Sequence, residues 1–209
     1  SVFKPTAFAS QRVLTLASAN TEIDSETAAD VSFFKESVEK LCKTAWENDI
    51  PIMIDAEDSW YQPFVDQVVT GMMEKYNKQK AIVYNTLQMY RTDRLDFLKQ
   101  SLRKAEEGNY FLGIKFVRGA YMEKERKRAA EQGYPSPIQP DKAATDRNYD
   151  EGIAFSISHI DRISVFNGSH NETSNRLITE LIDKHGLARD DNLIWFSKLY
   201  GMSVHISFN

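Results

Sequence analysis

The chain has 209 residues, 42% hydrophobic and 27% charged, a globular balance with enough apolar material for one substantial core. Thirty acidic residues face 26 basic ones, and the two signs are interspersed at a net charge of −4, which argues against a nucleic-acid footprint or a strongly basic membrane surface. A single cysteine, Cys42, excludes an intrachain disulfide and a cysteine-built metal centre, and no apolar run is long enough to span a bilayer.

The first residues, Ser1 to Pro5, read as the start of a strand rather than a start of translation, and we expect a fragment with no signal-like leader. Val2 to Phe8 reads as a short apolar segment carrying Lys4, with Pro5 marking an edge, an end or a bulge. Ser10 to Asp30 is polar and small, a loop or weak helix. Ser32 is the expected N-cap of a helix with Phe34, Val38, Leu41 and Ala45 on one face, and Cys42 falls on the same apolar stripe, as a core residue in a reducing compartment would. Pro51 to Asp55 reads as a second strand, apolar throughout as a strand covered on both faces should be. A helix from Tyr61 to Tyr76, a strand from Ala81 to Tyr84 and a helix closed by Gly108 follow.

Phe111 to Val117 is the fourth expected strand, and it runs into Lys115-Phe-Val-Arg-Gly-Ala-Tyr121. Arg118 there offers a planar fork of donors, and Gly119 allows a close backbone approach or an unusual turn. The basic cluster Lys124 to Arg128, interleaved with Glu123 and Glu125, reads as a solvated helix face. A long connection follows, fixed in an extended path by Pro135, Pro137 and Pro140. Asp141 is placed to cap a helix that runs to about His159. Strands over Ile163 to Phe166 and Leu193 to Phe196 flank a helix that stops at Gly186.

Strand and helix alternate through one domain, residues 1–209, which implies a parallel sheet with helical crossovers. Two α/β architectures compete, an open doubly wound sheet and a (β/α)8 TIM-type barrel. No Gly-rich dinucleotide fingerprint follows the first strand, and the polar residues gather at strand ends, where a barrel builds its site. Six strands are read where a closed barrel needs eight, so the expectation is a distorted barrel, incomplete at its C-terminus.

Collected by position, the strand ends carry Lys4, Asp55 with Glu57, Asn85 with Gln88, Lys115 with Arg118 and Tyr121, His170 with Asn171, and Ser197. The set is rich in donors and poor in nucleophiles. It has no serine beside a base, no cysteine and no metal-spaced histidine pair, which disfavours hydrolytic triads and zinc. It suits an anionic, planar, heteroatom-rich cofactor that carries its own chemistry. Singly, the bland readings stand: Asp55 as a helix cap, His170 as a structural histidine, Lys4 as a solvent-facing end.

Asp55-Ala-Glu57, Gln88, the Lys115 to Arg126 stretch, Gly133 to Ile138, Ser169-His-Asn-Glu172 and Leu199 to Met202, in this order and spacing, resemble the proline dehydrogenase family from Asp55 to Asn209. The resemblance implies a flavoenzyme on a distorted (β/α)8 barrel that oxidises L-proline to Δ1-pyrroline-5-carboxylate, with FAD as cofactor and a quinone as electron acceptor. It implies Lys4 and Tyr121 on the substrate and Asp55 and Lys115 at the reacting centre. Ala56, Gln88, Lys115, Arg118, Gly119, Ala120, Ser169, His170, Asn171 and Ser197 are implied on the flavin. Bacterial cytoplasm with peripheral contact at the inner membrane, or the mitochondrial inner membrane, is the implied location.

The family's carboxylate-binding segment, of the form Tyr-Leu-x-Arg-Arg-x-x-Glu, has no counterpart within these 209 residues. A non-catalytic fragment or pseudoenzyme retaining flavin or only the fold is therefore the second reading. A barrel lyase using Lys4 or Lys115 as a Schiff-base amine is the third.

Overall fold

The computed structural model describes residues 1–19, 21–188 and 192–197. Its elements alternate as expected. They are β1 Val2–Phe3, α1 Gln11–Ser18, α2 Ser25–Glu47, β2 Ile52–Ile54, α3 Gln62–Tyr76, β3 Val83–Gln88, α4 Arg94–Gly108 and β4 Leu112–Val117. They continue with α5 Met122–Gln132, α6 Lys142–Ser158, β5 Ile163–Gly168, α7 Glu172–Lys184 and β6 Ile194–Ser197. All strand pairs are parallel, in the order β1-β2-β3-β4-β5-β6.

That order decides between the two architectures. A doubly wound sheet reverses direction at a switch point, whereas here each strand pairs with the next in sequence, the winding of a barrel wall. The six strands form a curled half-barrel with helices packed on the outside.

Side-chain alternation along the strands separates two environments. Ile52 and Ile54, Val83 and Leu87, Leu112, Ile114 and Phe116, and Ile163 and Val165 face outward into the main core beneath the helices. The opposite faces form rows across the sheet. Met53, Tyr84, Gly113 and Ser164 stand in register at one level. Thr86, Lys115 and Phe166 form the next, with Asp55 at the end of β2 beside them. A Cβ on Gly113 would lie 2.7 Å from the Tyr84 ring, so glycine is what lets Tyr84 lie across β4, where its hydroxyl meets Ser164 at 2.8 Å. Barrel interiors fill in such layers.

Buried polar groups tie the helices to the sheet. Asp66 on α3 takes Arg94 of α4 at 2.7 Å on one carboxylate oxygen and Gln62 and Asn85 at 2.9 Å on the other. Asn77 satisfies four backbone groups, the carbonyls of Val83 and Phe111 and the amides of Ile82 and Val83. Unpaired, any of these would carry a desolvation cost, so the networks specify where each helix sits.

Several boundaries differ from the sequence reading. The Ser10–Asp30 stretch is largely helical: Ser10 caps α1 through the Val13 amide, and Asp24 caps α2 through the Thr27 amide at 2.7 Å. Ser32 is therefore inside α2 rather than its cap, and its hydroxyl binds Glu36 one turn on. The helical stripe on α2 holds, with Phe34, Val38, Cys42 and Ala45 buried, while Leu41 at its edge is only partly buried. At the end of α4 it is Asn109, not Gly108, that takes the left-handed conformation, at φ 47°. Lys4 lies just past the short β1, where a 3-10 turn opens at buried Pro5.

Candidate active site

The strand ends bring the expected residues together in pairs. Lys115 extends from the inner face of β4, and its Nζ donates to Asp55 Oδ1 at 2.6 Å, with both side chains only partly exposed. The Thr86 hydroxyl reaches the same oxygen at 3.5 Å. Asp55 thus makes an ion pair across the sheet. It does not cap α3, which has no side-chain cap.

Lys4, on the neighbouring chain segment, donates from Nζ to the Tyr121 hydroxyl at 3.2 Å. Burial pulls the Lys4 pKa down, but the Tyr121 bond and the nearby carboxylates of Glu57 and Asp55 outweigh it, so the ammonium is held above its ordinary range. Glu57 is buried and accepts from both the amide and the hydroxyl of Thr6, at 3.1 and 2.9 Å.

Gln88, at the end of β3, donates its amide to the carbonyls of Ala56 at 3.4 Å and Glu57 at 3.0 Å. Its side-chain carbonyl is buried and has no partner. Arg118 splits its fork three ways, to Asp146 of α6 at 2.7 Å and to the hydroxyls of Ser169 and Ser174 at 2.9 Å. The guanidinium also lies 4.3 Å over the Tyr149 ring. Arg118 therefore joins the ends of β4 and β5 to α6 and α7.

Gly119 has φ 123°, a conformation that side chains rarely adopt, and a Cβ there would fall 2.4 Å from the Tyr90 ring. The turn leaves Gly119 and Ala120 exposed. Ser169 donates its amide to the Ser197 carbonyl at 3.1 Å, and Asn171 caps α7 through the Ser174 amide at 3.0 Å. His170 is exposed beside them. Leu199 to Met202 lies outside the described residues.

Some contributors gave no sequence signal. Asp146 and Ser174 are spread over α6 and α7, and only the fold sets them on Arg118. The charged run on α5 is not wholly solvated, because Glu125 is fully buried. Among the described residues no group of three or more metal-ligating side chains forms, and no helix is long and apolar enough to cross a membrane.

Paired cations and carboxylates at the carboxyl ends of sequentially wound parallel strands lie where a barrel protein builds its site. A family model described as proline dehydrogenase matches residues 5–209. The chain belongs to the proline dehydrogenase family. It is 35% identical over 178 residues to proline dehydrogenase 1, mitochondrial, of Drosophila melanogaster, covering 80% of this chain and 26% of that protein. Identity to the Homo sapiens protein of the same name is 34% over 176 residues, 83% of this chain and 29% of the other. The carbapenem antibiotics biosynthesis protein CarD of Pectobacterium carotovorum subsp. carotovorum is 31% identical over 209 residues, all of this chain and 53% of CarD.

The chain thus spans about a quarter to a half of the curated relatives it matches. Among solved structures, proline utilization A from Bdellovibrio bacteriovorus, inactivated by N-propargylglycine, superposes with a TM-score of 0.84 at 21% identity, covering 98% of this chain and 20% of that one. That likeness concerns the fold.

Family membership implies a flavin. The residues fit one: a buried, unpartnered acceptor on Gln88, a half-buried cation at Lys115 and exposed backbone at Gly119 and Ala120 are the donors and acceptors such a ring and its phosphates require.

Proposed function

We propose that this chain is the barrel portion of an enzyme that oxidises L-proline to Δ1-pyrroline-5-carboxylate, with FAD as cofactor and a quinone as the final electron acceptor. The observation that carries the reading is the Lys115–Asp55 pair beside the Lys4–Tyr121 pair, on the strand ends of a proline dehydrogenase family barrel.

FAD, when bound, would accept a hydride from the ring carbon beside the proline nitrogen. Gln88 and Lys115 would hold its ring, and Gly119, Ala120, Ser169, His170, Asn171 and Ser197 its remainder, with Ala56 lining the pocket. Arg118 would act there mainly by ordering the Ser169 loop, because each of its three nitrogens already holds a protein partner. Lys115 supplies positive charge beside the reacting region, an electrostatic stabilisation of developing negative charge. Asp55 fixes the Lys115 ammonium in place and balances it until the charge develops. Lys4, kept protonated by Tyr121 and the nearby carboxylates, offers a cation to the substrate carboxylate, and Tyr121 closes the pocket over it.

We propose one barrel domain over the chain and a mitochondrial setting, as the names of several relatives carry, with peripheral contact at the inner membrane. The experiment is a visible absorption spectrum of the purified protein before and after anaerobic L-proline. A flavin band that bleaches supports the enzyme. A band that persists points to a flavin-binding protein without turnover, and no band after added FAD removes the reading.

A further inference from the structure

The loop between β2 and α3 is held residue by residue by α5. Asp58, with its side chain only 2% exposed, accepts from Lys124 Nζ at 2.7 Å. Ser59 gives its amide to one carboxylate oxygen of Glu125 at 2.7 Å and its hydroxyl to the other at 2.5 Å. Trp60 carries the Arg128 guanidinium 4.3 Å over its ring, with the Lys124 ammonium at 5.0 Å. A fully buried carboxylate is costly unless both oxygens are paired, and Glu125 pairs both with one residue 66 positions away.

The consequence reaches the site because α5 begins directly after Tyr121, whose carbonyl accepts the Glu125 amide at 2.9 Å. On its other side the same loop carries Glu57, bound to Thr6, two residues beyond Lys4. The contacts close a ring: Lys4 to Tyr121, along the first turn of α5 to Glu125, across to Ser59, back through Glu57 to Thr6 and Lys4. Lys115 and Asp55 are held separately, by strand register and by Thr86.

We propose that Glu125 is a positioning residue that sets Tyr121 over Lys4 through the docking of α5 on the β2–α3 loop, so that its influence falls on substrate binding and not on the chemical step. This rests on the function proposed above. In the full-length, flavin-loaded protein, Glu125→Gln is expected to raise KM for L-proline about tenfold, the scale of a lost charge-assisted hydrogen bond. Its kcat and flavin content should stay within about twofold, because the Lys115–Asp55 pair does not depend on this contact. Ser59→Ala should move KM the same way by less, and Lys127→Gln, on the exposed side of α5, should move nothing.

Combined with Tyr121→Phe, Glu125→Gln should add little further loss, since it acts through that residue. Hydrogen exchange should quicken at residues 58–60 and 118–121 in Glu125→Gln. A matching fall in kcat, additive losses in the double variant, or unchanged KM would each overturn the proposal. If Glu125→Gln does not fold, Ser59→Ala carries the same kinetic test. Should the parent protein not be reduced by L-proline, the proline reading fails instead, and the exchange pattern alone decides whether Glu125 holds the 118–121 turn.

Discussion

Lys115 and Asp55 meet at 2.6 Å although 60 residues separate them in sequence. β2 and β4 are not neighbours in the sheet, so a long, flexible ammonium crosses the inner face of β3 to reach its carboxylate. At Gly168 a Cβ would fall 2.9 Å from the Phe116 carbonyl oxygen, so glycine there answers the close approach of the β4 backbone.

Lys115→Ala is expected to slow flavin reduction by roughly a hundredfold, the scale at which preorganised electrostatic groups act. Proline binding should weaken less, so stopped-flow reduction titrated against L-proline separates the two. Lys115→Arg keeps the charge and should recover most of the rate. Equal losses in rate and affinity would leave Lys115 with a binding role only.

Arg118→Ala removes a guanidinium that organises Asp146, Ser169 and Ser174, and is expected to lower FAD affinity by about 1.5–3 kcal/mol. Flavin retained after extensive dialysis is the measurement. Undiminished retention would remove Arg118 and the Ser169 loop from the cofactor site.

Gly119→Ala places a methyl group 2.4 Å from the Tyr90 ring at a φ of 123°. Strain of this kind costs about 1–3 kcal/mol, and the overlap adds to it. Denaturant unfolding should show the loss, and in a Tyr90→Ala background, itself destabilised because Tyr90 is buried, Gly119→Ala should cost only the backbone part. No cost of Gly119→Ala in that background would show that the backbone conformation carries no strain.

Acid should unfold the protein partly through Asp93. Burial would raise its pKa, but the Arg94 and Arg91 guanidinium groups outweigh that and bring it down from 3.8 to about 2. A carboxylate with a depressed folded pKa stabilises the fold above its unfolded pKa, and that stability is lost as pH falls from about 4 towards 2. Asp93→Asn should flatten this part of the stability curve. An acid transition unchanged in the variant would assign the loss to other carboxylates.

Much of this was legible in advance, for physical reasons. Continuous apolar runs such as Pro51 to Ile54 and Tyr110 to Ile114 have few alternatives to buried parallel strands, and the polar residues that end them must then share one edge. Sequence therefore located Lys4, Asp55, Lys115 and Tyr121, though not their pairing, which depends on register. The start of α2 was missed because small polar residues from Ser10 to Asp30 carry little periodicity, and only Asp24 capping the Thr27 amide reveals it. Arg118 reads as a free anion fork because its carboxylate sits 28 residues away, on α6. Glu125 was concealed by its neighbours: in an alternating charged run, nothing local distinguishes the one acid that turns inward.

Tyr84, lying flat over Gly113 with its hydroxyl on Ser164 and with Met53 packed against it, seals these strands at their amino-terminal end. Along this wall the Lys115–Asp55 pair rests on a floor of packed side chains.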